Sequence, residues 1–267
     1  MAKRQLVVFT DLDGTLLDHD SYDWRPAKPA LDALWAASVP VVLNSSKTRS
    51  EIRSLRDELG NRDPFIVENG AAVVIPENYF EPGEEQVVPF APHRDIILDV
   101  LDVLKDKGFA FHNFDAMTIS ELARITGLSE AAAAAAKARD ATEPLIWQGD
   151  DAALAEFRRV LATHQLQLLQ GGRFYHVMGF FDKAGAMLYL MEQYREKHLG
   201  FDVVSVALGD SPNDVRMLEQ ADIPVIIRGI NSAQLVLTGG REPLRSIKVG
   251  PAGWNECILG LLADALN

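Results

Sequence analysis

The chain has 267 residues, 48% hydrophobic and 24% charged, with a formal net charge of −12. This composition suits one large soluble domain or a core with a smaller module. It excludes an ordinary nucleic-acid binder, which would show a basic face, and there is no run of about eighteen apolar residues to span a membrane. The single cysteine, Cys257, allows no intrachain disulfide, and the segment from Met1 to Gln5 lacks the pattern of a signal peptide, so the expected compartment is the cytoplasm.

Leu6 to Phe9 reads as a buried strand, followed by Asp11-Leu12-Asp13-Gly14-Thr15. A helix is predicted over Pro29–Ser38, and a second buried strand, Val39–Leu43, ends in Asn44-Ser45-Ser46-Lys47-Thr48. Thr48 and Glu51 have capping-box spacing and open a helix that stops at Gly60. Phe65–Val67 is a third strand, and Asn69-Gly70 predicts a tight hairpin into Ala72–Ile75. The four prolines between Pro76 and Pro92 read as a linker. The pattern then changes. A helix over Asp95–Lys107 leads to a strand over Phe109–Phe114 and a helix capped by Thr118. Ser129 caps the alanine run Ala131–Ala136, and alanine is the best helix former. A helix over Asp150–His164 and strands near Leu166–Leu169 and Phe174–Met178 follow. From Asp182 the alternation resumes: a long helix to Leu199, a strand Val203–Leu208 ending in Gly209-Asp210-Ser211-Pro212-Asn213-Asp214, strands Val225–Ile227 and Ile247–Val249, and a last helix from Ala252.

Alternating strands and helices predict an α/β fold: a Rossmann-like, doubly wound, mainly parallel sheet carrying an inserted α+β module. The expected division is 1–87 and 179–267 for the sheet domain and 88–178 for the insertion. Ligands of such sheets bind where strands end. Here strand ends deliver Asp11 and Asp13, then Ser45 and Ser46, then Asp210 and Asp214, while Lys183 opens the helix that returns the chain to the sheet. Side chains two apart in an extended segment leave on the same side, so Asp11 and Asp13 can face one site. Asp-x-Asp-Gly alone also suits an acidic turn. Grouped with hydroxyls, a lysine and further acids, it points to a hard divalent cation beside a substrate phosphate, with Mg²⁺ the fitting ion.

These four stretches resemble, in order and spacing, the motifs of the haloacid dehalogenase superfamily. The resemblance implies that Asp11 is the nucleophile and metal ligand, and that Asp13 is the general acid and base, with its backbone carbonyl on the metal. It implies Ser45, with Ser46, as the phosphate-binding hydroxyls and Lys183 as the cation between Asp11 and the phosphate. Asp210 is then the metal ligand, Asp214 a second ligand or an orienting acid, and Asn213 a supporting residue. An acid at position 13 favours a hydrolase over a transport ATPase. Ser45-Ser46-Lys47-Thr48-Arg49, Glu68-Asn69-Gly70-Ala71, Ile125-Thr126-Gly127-Leu128-Ser129 and Gly171-Gly172-Arg173-Phe174 further resemble mannosyl-3-phosphoglycerate phosphatases. This implies a small anionic phosphorylated sugar–glycerate substrate, with Arg139 and Arg173 of the insertion as partners for its carboxylate; Arg139, near a helix C-terminus, equally suits a role on the helix dipole. The departures are Ser45 where threonine is common, and Ala184 before Gly185 after the lysine. A broad sugar-phosphate or sucrose-phosphate-like phosphatase is the alternative, and a phosphate-binding sensor without catalysis is the alternative from another class. The six histidines have no metal-ligand spacing, and the four tryptophans read as core or rim.

Overall fold

The computed structural model describes residues 3–170 and 174–265. The chain runs β1 (Lys3–Thr10), α1 (Lys28–Ala36), β2 (Val41–Asn44), α2 (Arg49–Leu59), β3 (Phe65–Val67), β4 (Ala72–Ile75) and β5 (Gln86–Pro89). It continues with α3 (Arg94–Asp106), β6 (Phe111–Asn113), α4 (Ile119–Thr126), α5 (Glu130–Lys137), β7 (Thr142–Trp147), α6 (Asp151–Thr163), β8 (Leu166–Gln170) and β9 (Tyr175–Gly179). The last third holds α7 (Lys183–Lys197), β10 (Phe201–Gly209), α8 (Val215–Gln220), β11 (Ile223–Arg228), β12 (Leu244–Val249) and α9 (Gly250–Ala265).

Among the described residues one sheet has eight strands in the order β12-β11-β10-β1-β2-β3-β4-β5, and a second has four, β6-β7-β9-β8. In the larger sheet β1 pairs in parallel with both β10 and β2, while β3 and β4 pair antiparallel. The chain therefore winds outward from β1 in both directions, and the crevice at the carboxyl ends of β1, β2 and β10 is a topological switch point. Side-chain alternation divides the layers. Val7 and Phe9 of β1 face a cluster with Met187, Leu190 and Tyr194 of α7 and Leu218 of α8. Thr10, on the opposite parity, meets Trp254 of α9. The sheet is thus covered on both faces, which is why its central strands read as unbroken apolar runs.

The chain forms two compact units. The first comprises Met1–Ser45, Asn61–Val88 and Asp182–Asn267, and the second Ser46–Gly60 and Pro89–Phe181. The stretch holding α2 groups with the second unit, where the Thr48 hydroxyl donates to Ala135 O of α5 at 2.9 Å. The second unit packs α3 and α6 against its sheet around Leu101, Leu145, Phe157 and Val177.

The capping box at Thr48 and Glu51 is present, with Gly60 left-handed at the helix end. The hairpin expected at Asn69-Gly70 is present: β3 and β4 pair antiparallel around a four-residue loop, 68–71. One local expectation changes. The proline-rich stretch contains β5, an edge strand that the linker reading did not include; its side chains are mostly exposed, so no buried face marks it in the sequence. No helix among the described residues is long and apolar enough to cross a membrane.

Candidate active site

β1 ends where two neighbouring strands also end. The register sets Leu43 and Leu208 beside Thr10, so Ser45 and Asp210 leave the sheet at the edge where Asp11 does. The Asp11 N–H continues the ladder to Leu208 O at 2.9 Å. The first side-chain contact is charged: Lys183 Nζ donates to Asp11 Oδ1 and to Asp214 Oδ1, each at 2.6 Å. Lys183 is the first residue of α7, whose start is capped by the Asp182 carboxylate accepting from Gly185 N–H at 2.9 Å. Asn44 Nδ2 donates to Lys183 O at 3.1 Å, which fixes the start of α7 against the end of β2.

Asp214 is wholly buried, and its other oxygen, Oδ2, accepts from the backbone N–H groups of Asp210 (3.2 Å) and Ser211 (3.1 Å). This carboxylate therefore shapes the loop that presents Asp210 while it holds the lysine. Asp210 Oδ1 accepts from the Thr15 hydroxyl at 3.0 Å. A Cβ on Gly14, whose φ is +85°, would come within 2.7 Å of Asp210 Oδ2, so only glycine lets the two loops approach this closely. Asp13 is half-buried, and its backbone bridges to Leu17.

Oxygens of Asp11, Asp210 and Asp214 all lie within 4.8 Å of one another. Lys183 places its ammonium between two of these acids, Asp11 and Asp214, and it is 1% exposed. The electrostatics carry the imbalance. Burial, and then repulsion from Asp214, push Asp11 well above the ordinary carboxylate range, with Lys183 pulling the other way. Burial, again followed by Asp214, pushes Asp210 up to about 6. Burial disfavours the Lys183 ammonium, yet Asp11 and Asp214 outweigh it, and its pKa rises. Crowded, dehydrated carboxylates with raised pKa values call for a further positive charge. A hard divalent cation with oxygen ligands fits this donor set.

The remaining expected residues fall as follows. Ser45 is buried just past β2, and its carbonyl accepts from Asn69 N–H at 2.8 Å. Asn213 lies on the Asp210–Asp214 loop and donates from Nδ2 to Asn69 Oδ1 at 3.4 Å. In the second unit the Arg139 guanidinium donates to Thr142 Oγ1 (2.8 Å), Ala136 O (3.4 Å) and Ser46 O (2.6 Å). Arg139 thus closes the end of α5 and holds the Ser46 carbonyl. Arg173 lies outside the described residues. Two residues that sequence reasoning did not assign to the site lie behind it. Trp254 Nε1 donates to Thr10 Oγ1 at 3.0 Å, and that hydroxyl donates to Asp11 O at 2.7 Å. No sequence signal links positions 10 and 254, because the contact forms only when α9 packs on the sheet.

A switch-point cluster of acids around a buried lysine, on a doubly wound sheet, is an arrangement that fits α/β enzymes of phosphoryl transfer. Residues 8–142 match the family described as haloacid dehalogenase-like hydrolase. Over 98% of both chains the sequence is 37% identical to a glucosyl-3-phosphoglycerate/mannosyl-3-phosphoglycerate phosphatase of Methanococcoides burtonii. It is 36% identical to a phosphatase of the same description from Persephonella marina, over 97% of this chain and 98% of that one. The chain belongs to the haloacid dehalogenase-like hydrolase family, and it is a phosphoric monoester hydrolase. Solved structures share its fold at low identity. Thermoplasma acidophilum 0175 matches with a TM-score of 0.69 at 16% identity, covering 97% of this chain and 99% of that one. The sucrose-phosphatase of Synechocystis matches with a TM-score of 0.65 at 15% identity, covering 98% of each.

Proposed function

We propose that the enzyme dephosphorylates 2-O-mannosyl-3-phosphoglycerate, or its glucosyl analogue, with Mg²⁺ as cofactor. The observation that carries this reading is the 37% identity spread over 98% of both chains to a phosphatase so described. Asp11 is the nucleophile: its carboxylate attacks phosphorus, the ester oxygen leaves, and an aspartyl-phosphate results. Asp13 gives the leaving alkoxide a proton, then takes one from the water that hydrolyses the intermediate. Lys183, already bonded to Asp11, offsets the repulsion between that carboxylate and the incoming phosphate. Ser45 and Ser46 are the hydroxyls assigned to the phosphoryl oxygens. Asp11, the Asp13 carbonyl and Asp210 would hold Mg²⁺, which supplies charge neutralisation on the transferring group. Asp214 orients Lys183 and the Asp210 loop.

Residues 88–178 are assigned to substrate selection. The glycerate carboxylate needs a cation that the phosphate site does not have to spare. Arg139 and Arg173 are the candidates for that role, since a guanidinium can pair with a carboxylate through two parallel bonds. The test is phosphate release from the mannosyl and glucosyl glycerate esters, sucrose 6-phosphate and hexose phosphates. The glycerate esters should lead by at least about thirtyfold in kcat/KM, in line with about 2–5 kcal/mol for a buried charge contact. Arg173→Ala should remove most of that lead. Equal turnover of hexose phosphates would leave only the broad sugar-phosphatase reading.

A further inference from the structure

The loop joining β3 to β4 takes part in no step of the chemistry above, yet its backbone is strained. Glu68, Asn69 and Gly70 are consecutively left-handed, with φ of 49°, 61° and 97°. Residues other than glycine seldom adopt that conformation, and they keep it where the surroundings dictate it. Three contacts do so here. The Asn69 N–H donates to Ser45 O at 2.8 Å. Asn69 Oδ1 accepts from Asn213 Nδ2 at 3.4 Å. Gly70 is pressed so close to the entry of α7 that a Cβ would sit 2.0 Å from Asp182 O. One buried loop therefore touches the segment carrying Ser45, the loop carrying Asp210 and Asp214, and the residue before Lys183.

The contact with Asn213 reaches the acids. Asn213 Oδ1 accepts from the Ser211 hydroxyl. Ser211 also contacts Asp214 Oδ2, through its N–H at 3.1 Å and its hydroxyl at 3.0 Å. An amide whose nitrogen is bound by Asn69 presents its oxygen to Ser211, so Asn69 sets which way the Asn213 side chain is turned.

We infer that Asn69 is a positioning residue of the phosphoryl-transfer site, bonding Ser45 through its backbone and Asn213 through its side chain and so fixing the hydroxyl loop after β2 against the acid loop after β10. This rests on the site assignment proposed above. Displacing reacting groups by a fraction of an ångström slows the chemical step more than it weakens binding.

Asn69→Gly separates the two contacts, since glycine keeps the left-handed backbone and the bond to Ser45 but loses the link to Asn213. With an aryl phosphate and Mg²⁺, kcat should fall about tenfold while KM moves less than about threefold and the melting temperature holds. Combining it with Asn213→Ala should cost no more than Asn213→Ala alone, because the two side chains act as one unit. Asn69→Asp keeps both an acceptor oxygen and tolerance of the left-handed region, and should retain kcat within about threefold of the unaltered enzyme. If the glycine variant is unstable, the aspartate variant still decides: a loss of about tenfold at unchanged melting temperature overturns the role. Full kcat in Asn69→Gly, or losses that multiply in the double variant, also overturns it. An active Asp11→Asn control would overturn the site assignment and this role with it. An inactive control beside a fully active Asn69→Gly would overturn the positioning role alone.

Discussion

Each unit buries a carboxylate completely, Asp214 in the first and Glu143 in the second, and the two are treated in opposite ways. Among buried groups Glu143 has a cation of its own, although the Arg94 guanidinium that meets it also lies 3.4 Å from the exposed Asp115. Its Oε2 takes Arg94 Nε at 2.7 Å, and its Oε1 takes Asn113 Nδ2 at 2.9 Å and Asp115 N–H at 2.7 Å. Asp214 shares Lys183 with Asp11 and has Asp210 beside it, so three acids draw on one ammonium. Both are buried ionic networks, and burial alone does not tell them apart. The count of buried charges does: one buried acid meets Arg94 in the second unit, whereas three buried acids surround Lys183 in the first, a cluster that would gain from a cation.

The largest effect that could break this comparison comes from Asp11→Asn. Turnover should fall at least about a thousandfold, since the amide is a poor nucleophile. The melting temperature should hold or rise, because one of the crowded charges is gone. A large loss of stability with partial activity would place Asp11 among structural acids such as Glu143. Glu143→Ala should do the reverse. It takes the buried carboxylate from Arg94 and leaves it beside the exposed Asp115, and should cost about 3 kcal/mol in denaturant unfolding. The kcat of the folded fraction should stay within about threefold of the unaltered enzyme, which active-site titration checks.

A smaller effect sharpens the contrast through pH. In the metal-free protein Asp210 has its pKa raised to about 6, so its protonated form is favoured in the fold. The stability it contributes is fully present below its unfolded value and is lost as pH rises through about 6. Mg²⁺ binds the ionised form, so it should raise the melting temperature more at pH 7.5 than at pH 5. At a hundredfold excess over its Kd, the gain at the higher pH corresponds to about 2.7 kcal/mol. An equal gain at both pH values would remove Asp210 from the metal site. The smallest effect is expected from Trp254→Phe, which deletes the bond to Thr10 while keeping most of the ring. It should cost about 1 kcal/mol in unfolding and lower kcat only a few-fold.

Much of the fold was legible because the evidence for it is local. Apolar runs that end in small polar residues mark β1, β2 and β10, and Thr48 with Glu51 marks the start of α2. The acids and the lysine were legible as a set because strand ends of a doubly wound sheet converge on one edge. Contacts made across the fold were not legible. Nothing near Arg139 in the sequence shows that its guanidinium reaches the Ser46 carbonyl, 93 positions away. The Trp254–Thr10–Asp11 chain joins residues 244 positions apart. Asn69-Gly70 signals a turn in any sequence; its contacts with Ser45, Asn213 and Asp182 depend on which segments the sheet brings beside it.

The most direct test of the unbalanced cluster as a reaction site is a rapid-quench experiment with labelled phosphoglycerate ester and Mg²⁺, followed by peptide mapping. Phosphate should appear within the first turnover on the peptide containing Asp11, as an acid-stable, base-labile acyl phosphate, and it should be absent from Asp11→Asn. Release of phosphate at full rate with no labelled peptide, or a label on any other residue, would contradict the account.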